Sequence, residues 1–220
     1  MRDRFAEIAV GHICDALEHL GVLTPIVGPR LRCLSAEARF AGPAVTLDVA
    51  RSRFGDESRR LTEFLDEVVG EGDVVVINLN GIDDCVLFGG RAALRAEMRG
   101  AVGAVVNGYA RDAEEIAESA MPVHALGPRV PASEGRLHGV RINEPVIIDG
   151  VLVAPGDWLV GDATGIALVP AGLVERVLEL AEEREEIDRE SMVELREGKT
   201  IAETHRHFRD EDVTALKALE

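Results

Sequence analysis

Two apolar runs constrain this chain more than any other feature. Val74-Val75-Val76-Ile77, set between Asp73 and Asn78-Leu79, and Gly103-Ala104-Val105-Val106-Asn107 are short, rich in β-branched residues and free of charge inside. A strand with one wet face alternates apolar and polar residues, so these runs predict strands buried on both faces of a sheet. Between them Arg91 to Met98 has helical spacing, 113–120 reads as the next helix, and Val123-His124-Ala125-Leu126 closes the series as a short strand. Strand–helix–strand–helix–strand requires parallel pairing through right-handed crossovers. The fold class is therefore α/β.

The flanks extend that core. Phe5, Ile8, Ala9, Ile13, Ala16, Leu17 and Leu20 line one face of a helix over 3–20, which Gly21 ends. After a loop around Pro25, Gly28 and Pro29, Ala44 to Ala50 reads as a strand and Ser58 to Val69 as a helix. From 140 to 170 the pattern changes to short β runs, with Asp149-Gly150 as a hairpin turn and Gly161-Asp162-Ala163-Thr164-Gly165 as another. Residues 171–197 form a long charged helix with Val174, Val177, Leu178 and Ala181 on its apolar face. Thr200 and Glu203 have capping-box spacing for a final short helix. The expected organisation is an α/β body over 1–170 and a C-terminal helical extension over 171–220, both parts of one fold.

Several function classes are excluded. No stretch approaches the ~20 apolar residues of a membrane span, and Met1-Arg2-Asp3-Arg4 leads into an amphipathic segment rather than a signal core. A cytoplasmic protein with no membrane partner is expected. A net charge of −16 repels phosphate backbones, so no nucleic-acid partner is expected either. Cys14, Cys33 and Cys85 are odd in number and widely spaced, and read as small buried hydrophobes. There is no GxGxxG for a dinucleotide or a methyl donor, no HExxH among the histidines (12, 19, 124, 138, 205 and 207), and no Gly-x-Ser-x-Gly elbow. His205 and His207 lie in a charged tail and read as solvated. Lys199 and Lys217 are the only lysines, both in the C-terminal tail, which excludes a Schiff base at a desolvated lysine. Carbonyl chemistry here needs a metal or an arginine to hold negative charge.

Two sequence features remain as candidates for that role. Gly89-Gly90 turns the chain from a buried strand into a helix, whose first amides lack intrahelical partners and can hold a carboxylate. Arg111-Asp112 follows the next strand at its carboxyl end, where open α/β sheets place ligands. A guanidinium there grips an oxyanion, and the adjacent carboxylate can hold a divalent cation. Asp83 and Asp84 are placed to line the same cleft.

Assembled, these pieces resemble the family of 4-hydroxy-4-methyl-2-oxoglutarate aldolases and regulators of ribonuclease E activity, the RraA-like proteins. Gly103-Ala104-Val105-Val106-Asn107-Gly108-Tyr109-Ala110-Arg111-Asp112 is similar to the family signature Gly-x-Val-Val-x-Gly-x-x-Arg-Asp. Asp15-Ala16-Leu17, Gly42-Pro43-Ala44-Val45-Thr46, Asn143-Glu144-Pro145-Val146 and Pro155-Gly156-Asp157 follow in family order, so the likeness covers about 15–198. The resemblance implies a layered mixed sheet core of the RraA-like type, assembled as a homotrimer or homohexamer with sites between subunits. It implies a lyase that cleaves 4-hydroxy-2-oxo acids or decarboxylates oxaloacetate to pyruvate, with Mg²⁺ or another divalent cation such as Mn²⁺. Asp112 would ligate the metal and Arg111 would hold the keto or carboxylate oxygen. The amides of Gly89, Gly90, Arg91 and Ala92 would hold the substrate carboxylate, and Glu186 or Glu190 would reach the metal from a neighbouring subunit. The ion and the arginine would stabilise the pyruvate enolate left by C3–C4 cleavage. Aldolase members often carry an acid directly after the first glycine; Gly90 stands there instead, and Asp83 or Asp84 would have to replace it. The alternative the family offers is a non-catalytic regulator that binds a protein partner.

Overall fold

The computed structural model describes residues 1–23, 26–52 and 60–205. Its strands are β1 (Arg32–Cys33), β2 (Phe40–Arg51), β3 (Val74–Asn78), β4 (Gly103–Asn107), β5 (Val123–Ala125), β6 (Leu137–Ile142), β7 (Val146–Ile148), β8 (Val151–Val153), β9 (Trp158–Gly161) and β10 (Ile166–Val169). Its helices are α1 (Arg2–Glu7), α2 (Val10–His19), α3 (Arg60–Glu63), α4 (Gly90–Met98), α5 (Ala113–Glu118), α6 (Val174–Arg196) and α7 (Ile201–Thr204). Eight strands form one mixed sheet in the order β1-β5-β4-β3-β2-β9-β10, with β6 also on β2, and β7–β8 make a separate hairpin. The β2–β3, β3–β4 and β4–β5 pairs are parallel, as the buried runs require.

The apolar runs are buried on both sides. Val75, Ile77, Ala104 and Val106 pack with Leu65, Phe88, Ala93 and Ile116 in the helical layer. Val74, Val76 and Val105 face the opposite way and pack with Val146 and Ile148 of the hairpin and with Leu159 and Ile166. The period of two along each strand thus feeds two cores at once. A third core joins α1, α2 and α6 to β9 and β10 through Phe5, Leu17, Val160, Val169 and Val177. The Asp149-Gly150 turn has both residues at positive φ (48° and 87°), the backbone a two-residue hairpin needs. The Thr200–Glu203 capping box is formed.

The structure departs from the sequence expectation in several places. The helix over 3–20 breaks after Glu7, because two distant side chains cap the halves. Arg39 Nη1 donates to the carbonyls of Ala6 and Glu7 (2.9 Å each), and Asp162 Oδ2 accepts from the amide of Val10 (3.0 Å). The strand over 44–50 runs from Phe40 to Arg51 because its two halves pair with different partners, β9 and then β3 with β6. Of the helix expected from Ser58, residues 58 and 59 lie outside the described residues. The rest is α3 followed by a π-helical turn, Phe64–Val68, closed by Val69 N donating to Phe64 O (3.0 Å). α5 stops at Glu118, since Ser119 turns to donate to Glu97 Oε2 (2.9 Å) and to accept from Met121 N. Strand β6 begins three residues before the expected β region. Cys85 is buried, but Cys14 and Cys33 are only partly so. Burial pushes the Cys14 thiol up to about 11, far from a reactive thiolate.

Candidate functional site

The loop after β4 is pinned on both sides before it reaches Arg111. Ala110 bridges to Phe88 and to Pro128, and the Arg111 amide donates to the Phe88 carbonyl (3.1 Å). The strand-end loop is thereby held against the 88–90 turn, so the two sequence candidates meet. Asp112 then takes a left-handed conformation (φ 56°, ψ 51°) at the start of α5. That conformation is unfavourable for most side chains and tolerated by Asp and Asn. It turns the carboxylate back onto the turn, where Oδ2 accepts from Gly90 N (3.1 Å) and Arg111 Nε (3.2 Å). Gly89 makes this possible: a Cβ there would stand 2.7 Å from Asp112 Oδ2 and 2.8 Å from Arg111 Cγ.

Gly89, Arg91, Ala92, Arg111 and Asp112 line one cavity of about 660 Å³. Its lining also includes Leu65, Asp66, Arg95, Ser133 and Glu134, with Asp66 held by Arg95 at 2.5 Å. Among the described residues the amides of Arg91 and Ala92 and the guanidinium of Arg91 have no hydrogen-bond acceptor or ion-pair partner. Three cations therefore face the space, and one of them is uncommitted. Gly90 lies on the other side of the α4 terminus, in a neighbouring cavity of about 480 Å³ that shares Arg91 and includes Glu115.

Other expected residues fall elsewhere. Glu186 pairs with Arg189 on α6, and neither it nor the exposed Glu190 lines the cavity within this chain. α6 packs on α2, in the core served by β9 and β10. Asp84 is gripped by Arg51 through both oxygens (2.9 and 3.1 Å), which holds its carboxyl below the usual range. Asp83 lines a separate cavity of about 380 Å³ with Asn78 and Asn107. So the two acids expected to stand in for a side chain at position 90 are not in the cleft. Lys199 is exposed and paired with Glu194 (3.0 Å), while Lys217 and His207 lie outside the described residues. Glu115 was missed by the sequence reading; its signal is the three-residue spacing from Asp112, which returns it to the same side of α5.

The donor set fits one kind of metal. Among the described residues no three of His, Cys, Asp and Glu cluster as a metal cage, which does not fit a zinc-like ion. Both bonds to Asp112 fall on Oδ2, and nothing among the described residues bonds Oδ1. One open carboxylate oxygen on the cavity wall suits Mg²⁺ or Mn²⁺, which take one or two protein carboxylates and complete their shells with water and substrate oxygens.

Comparison with known proteins identifies the family and the fold. The family model described as RraA-like, Aldolase/RraA, matches residues 10–168. A Burkholderia mallei protein named "Putative 4-hydroxy-4-methyl-2-oxoglutarate aldolase" is 37% identical over 173 residues, 76% of this chain and 98% of that protein. The crystal structure of Streptomyces coelicolor RraAS2, described as an unusual member of the RNase ES inhibitor RraA family, superposes with a TM-score of 0.79. It is 27% identical and covers 87% of this chain and 96% of its own. The RNA-processing inhibitor RraA of Thermus thermophilis is 33% identical with a TM-score of 0.55, over 66% of this chain and 84% of that one.

Proposed function

We propose that this chain, which belongs to the RraA-like Aldolase/RraA family, is a divalent-metal-dependent carbon–carbon lyase of dianionic 2-oxo acids. Its substrates are 4-hydroxy-2-oxo acids, oxaloacetate or both, and its product is pyruvate. The observation that carries the reading is the shared cavity wall. A carboxylate with a free oxygen, the guanidiniums of Arg91 and Arg111 beside that of Arg95, and two open helix amides converge on one volume that no lysine lines among the described residues.

Asp112 would hold the cation through Oδ1, leaving water and substrate oxygens to complete its shell. When bound, a divalent ion supplies Lewis-acid polarisation of the keto group and charge stabilisation of the enolate. Arg111, oriented by Asp112 Oδ2, places a fixed cation where the keto oxygen gains negative charge. The amides of Arg91 and Ala92 receive the substrate's C1 carboxylate at the positive end of α4. The Arg91 guanidinium is left for the second carboxylate, which both substrate types carry. The reading extends to a cytoplasmic homotrimer or homohexamer in which Glu186 or Glu190 of a neighbouring copy completes the metal's outer contacts.

Pyruvate release from oxaloacetate and from 4-hydroxy-4-methyl-2-oxoglutarate, with Mg²⁺ and then with EDTA, tests the proposal. Turnover that EDTA silences and that borohydride with pyruvate leaves unmodified is expected. An inert protein at saturating substrate, with Mg²⁺ and with Mn²⁺, would sink the lyase reading. The protein-binding regulator would then take its place, in keeping with the likeness to the two ribonuclease inhibitors.

A further inference from the structure

Aldol cleavage needs something that decarboxylation does not: a base for the C4 hydroxyl. We propose that Glu115 is that base, standing in the space left by the absent side chain of Gly90; this rests on the lyase reading above. A Cβ built on Gly90 would lie 1.8 Å from Glu115 Oε2 and 2.8 Å from its Cδ, so the carboxylate occupies the volume where a residue-90 side chain would begin. The backbone does not ask for glycine here. Gly90 is the first residue of α4 and is not among the glycines at positive φ, and glycine inside a helix is less stable than alanine. What glycine provides is room for Glu115.

Asp112 and Glu115 bracket one residue. Asp112 Oδ2 accepts from the Gly90 amide, Glu115 stands where the Gly90 Cβ would be, and Arg91, the cation left for the carboxylate beyond C4, lines both the cavity of Asp112 and the neighbouring one that Glu115 lines. Of the other carboxylates on the two cavities, Asp66 is committed to Arg95, Glu97 accepts from Ser119, and Glu118 is exposed at the end of α5. Glu115 has no ion-pair or hydrogen-bond partner among the described residues. Glu134, in the lining of the larger cavity, is the rival.

In the step assigned to Glu115, its carboxylate takes the C4 hydroxyl proton. The C3–C4 bond breaks, its electron pair moves to C3 to form the pyruvate enolate, and C4 becomes the keto carbon of the second product. The proton then returns to C3, releasing pyruvate, so atoms and electrons balance with no redox partner.

The test uses the full-length protein with Mg²⁺ and compares Glu115→Gln, Glu134→Gln and Glu115→Ala with and without Gly90→Asp. Glu115→Gln should lower kcat for 4-hydroxy-4-methyl-2-oxoglutarate by about 10²–10⁴-fold and that for oxaloacetate by less than about tenfold. Glu134→Gln should leave the ratio of the two reactions within about threefold. Gly90→Asp should lower the thermal midpoint in the native background and much less beside Glu115→Ala, a packing readout independent of turnover. There it should also recover at least about tenfold of the aldol rate. Equal loss on both substrates, or selective loss in Glu134→Gln, overturns the assignment while the lyase reading stands. A native protein inert to both substrates overturns the lyase reading, and Glu115 with it.

Discussion

Two polar clusters stand at the carboxyl ends of the same parallel strands and are built on opposite terms. The first is a ladder across β2, β3 and β4, where Asp48, Asn78 and Asn107 stand side by side in register. Asn107 Nδ2 donates to Asn78 Oδ1 (2.9 Å), Asn78 Nδ2 donates to Asp48 Oδ1 (3.0 Å), Asn80 Nδ2 joins at 2.8 Å, and Arg141 closes on Asp48 Oδ2 at 2.6 Å. Asp48 is 4% exposed and Asn78 2%. The second cluster lies beyond β4, where Asp112 keeps one oxygen open, Arg91 keeps its charge uncommitted, and both face a cavity. A buried carboxylate is tolerable only when pairing offsets its desolvation, so the ladder spends its hydrogen bonds on itself. The cavity withholds some of its own, and those are what a ligand can use. Polarity at a strand end is thus shared by both; the unspent valence separates them.

The comparison would break if the open cluster proved structural. Asp112→Asn is the sharpest probe, because Asn tolerates the left-handed backbone and can still accept from the Gly90 amide. Changes one shell further out from a metal already cost 10–100-fold. Loss of the carboxylate charge should therefore lower kcat/KM by at least about 10²-fold, with the thermal midpoint moving by no more than about 2 °C. A large midpoint drop with activity retained would reverse the roles of the clusters.

The ladder should give the mirror result. Asn78→Ala strands Asn107 Nδ2 and the amide of Asn80 and removes one of the bonds to Asp48. An unsatisfied buried group costs ~1–3 kcal/mol, and because Asn107 is only partly buried and Asn80 exposed, a loss of roughly 2 kcal/mol is expected, or about 4–8 °C in the midpoint for a chain of this size. Well below that midpoint, kcat/KM should stay within about threefold. Urea denaturation and steady-state kinetics on one preparation read both quantities.

These clusters also differ in how far they could be read from sequence. The parallel strands announce themselves through β-branched runs, and the Gly89-Gly90 and Arg111-Asp112 motifs are each contiguous, so strand, turn and site candidate were legible. The ladder was not, because Asp48, Asn78 and Asn107 become neighbours only once strand register is set by the whole sheet. For the same reason the break in the helix over 3–20 escaped: its caps come from Arg39 and Asp162, far along the chain. Asp83 and Asp84 were nearer candidates than Glu115 by position, yet Arg51 and the loop path take them elsewhere. Only the packing of α5 beside α4 shows which acid reaches Gly90.

His124 sharpens the distinction with a third case: polar and unsatisfied, but sealed. It sits on β5 at 2% exposure, its ring 5.4 Å from that of Phe40, and among the described residues neither ring nitrogen has a well-formed hydrogen bond, the Asp162 backbone being the polar group it faces. Burial depresses its pKa, with the neighbouring Asp162 opposing the shift in part. The unfolded chain takes up this proton near pH 6.5, while the folded chain takes it up at a lower pH. Between those limits the unfolded state binds more protons, so stability must fall as pH falls, by at most ~1.4 kcal/mol per pH unit from this group. Above pH 6.5 the histidine is neutral in both states and contributes no slope. Thermal midpoints of the native protein and of His124→Leu, measured from pH 7.5 to 5, isolate the effect: the native midpoint should decline more steeply, and the two slopes should merge above pH 7. Equal slopes throughout would mean that water or a partner reaches the imidazole. If unspent valence marks a ligand site only where a ligand can enter, this sealed histidine should register in stability against pH and leave kcat/KM for oxaloacetate at pH 7.5 within about threefold.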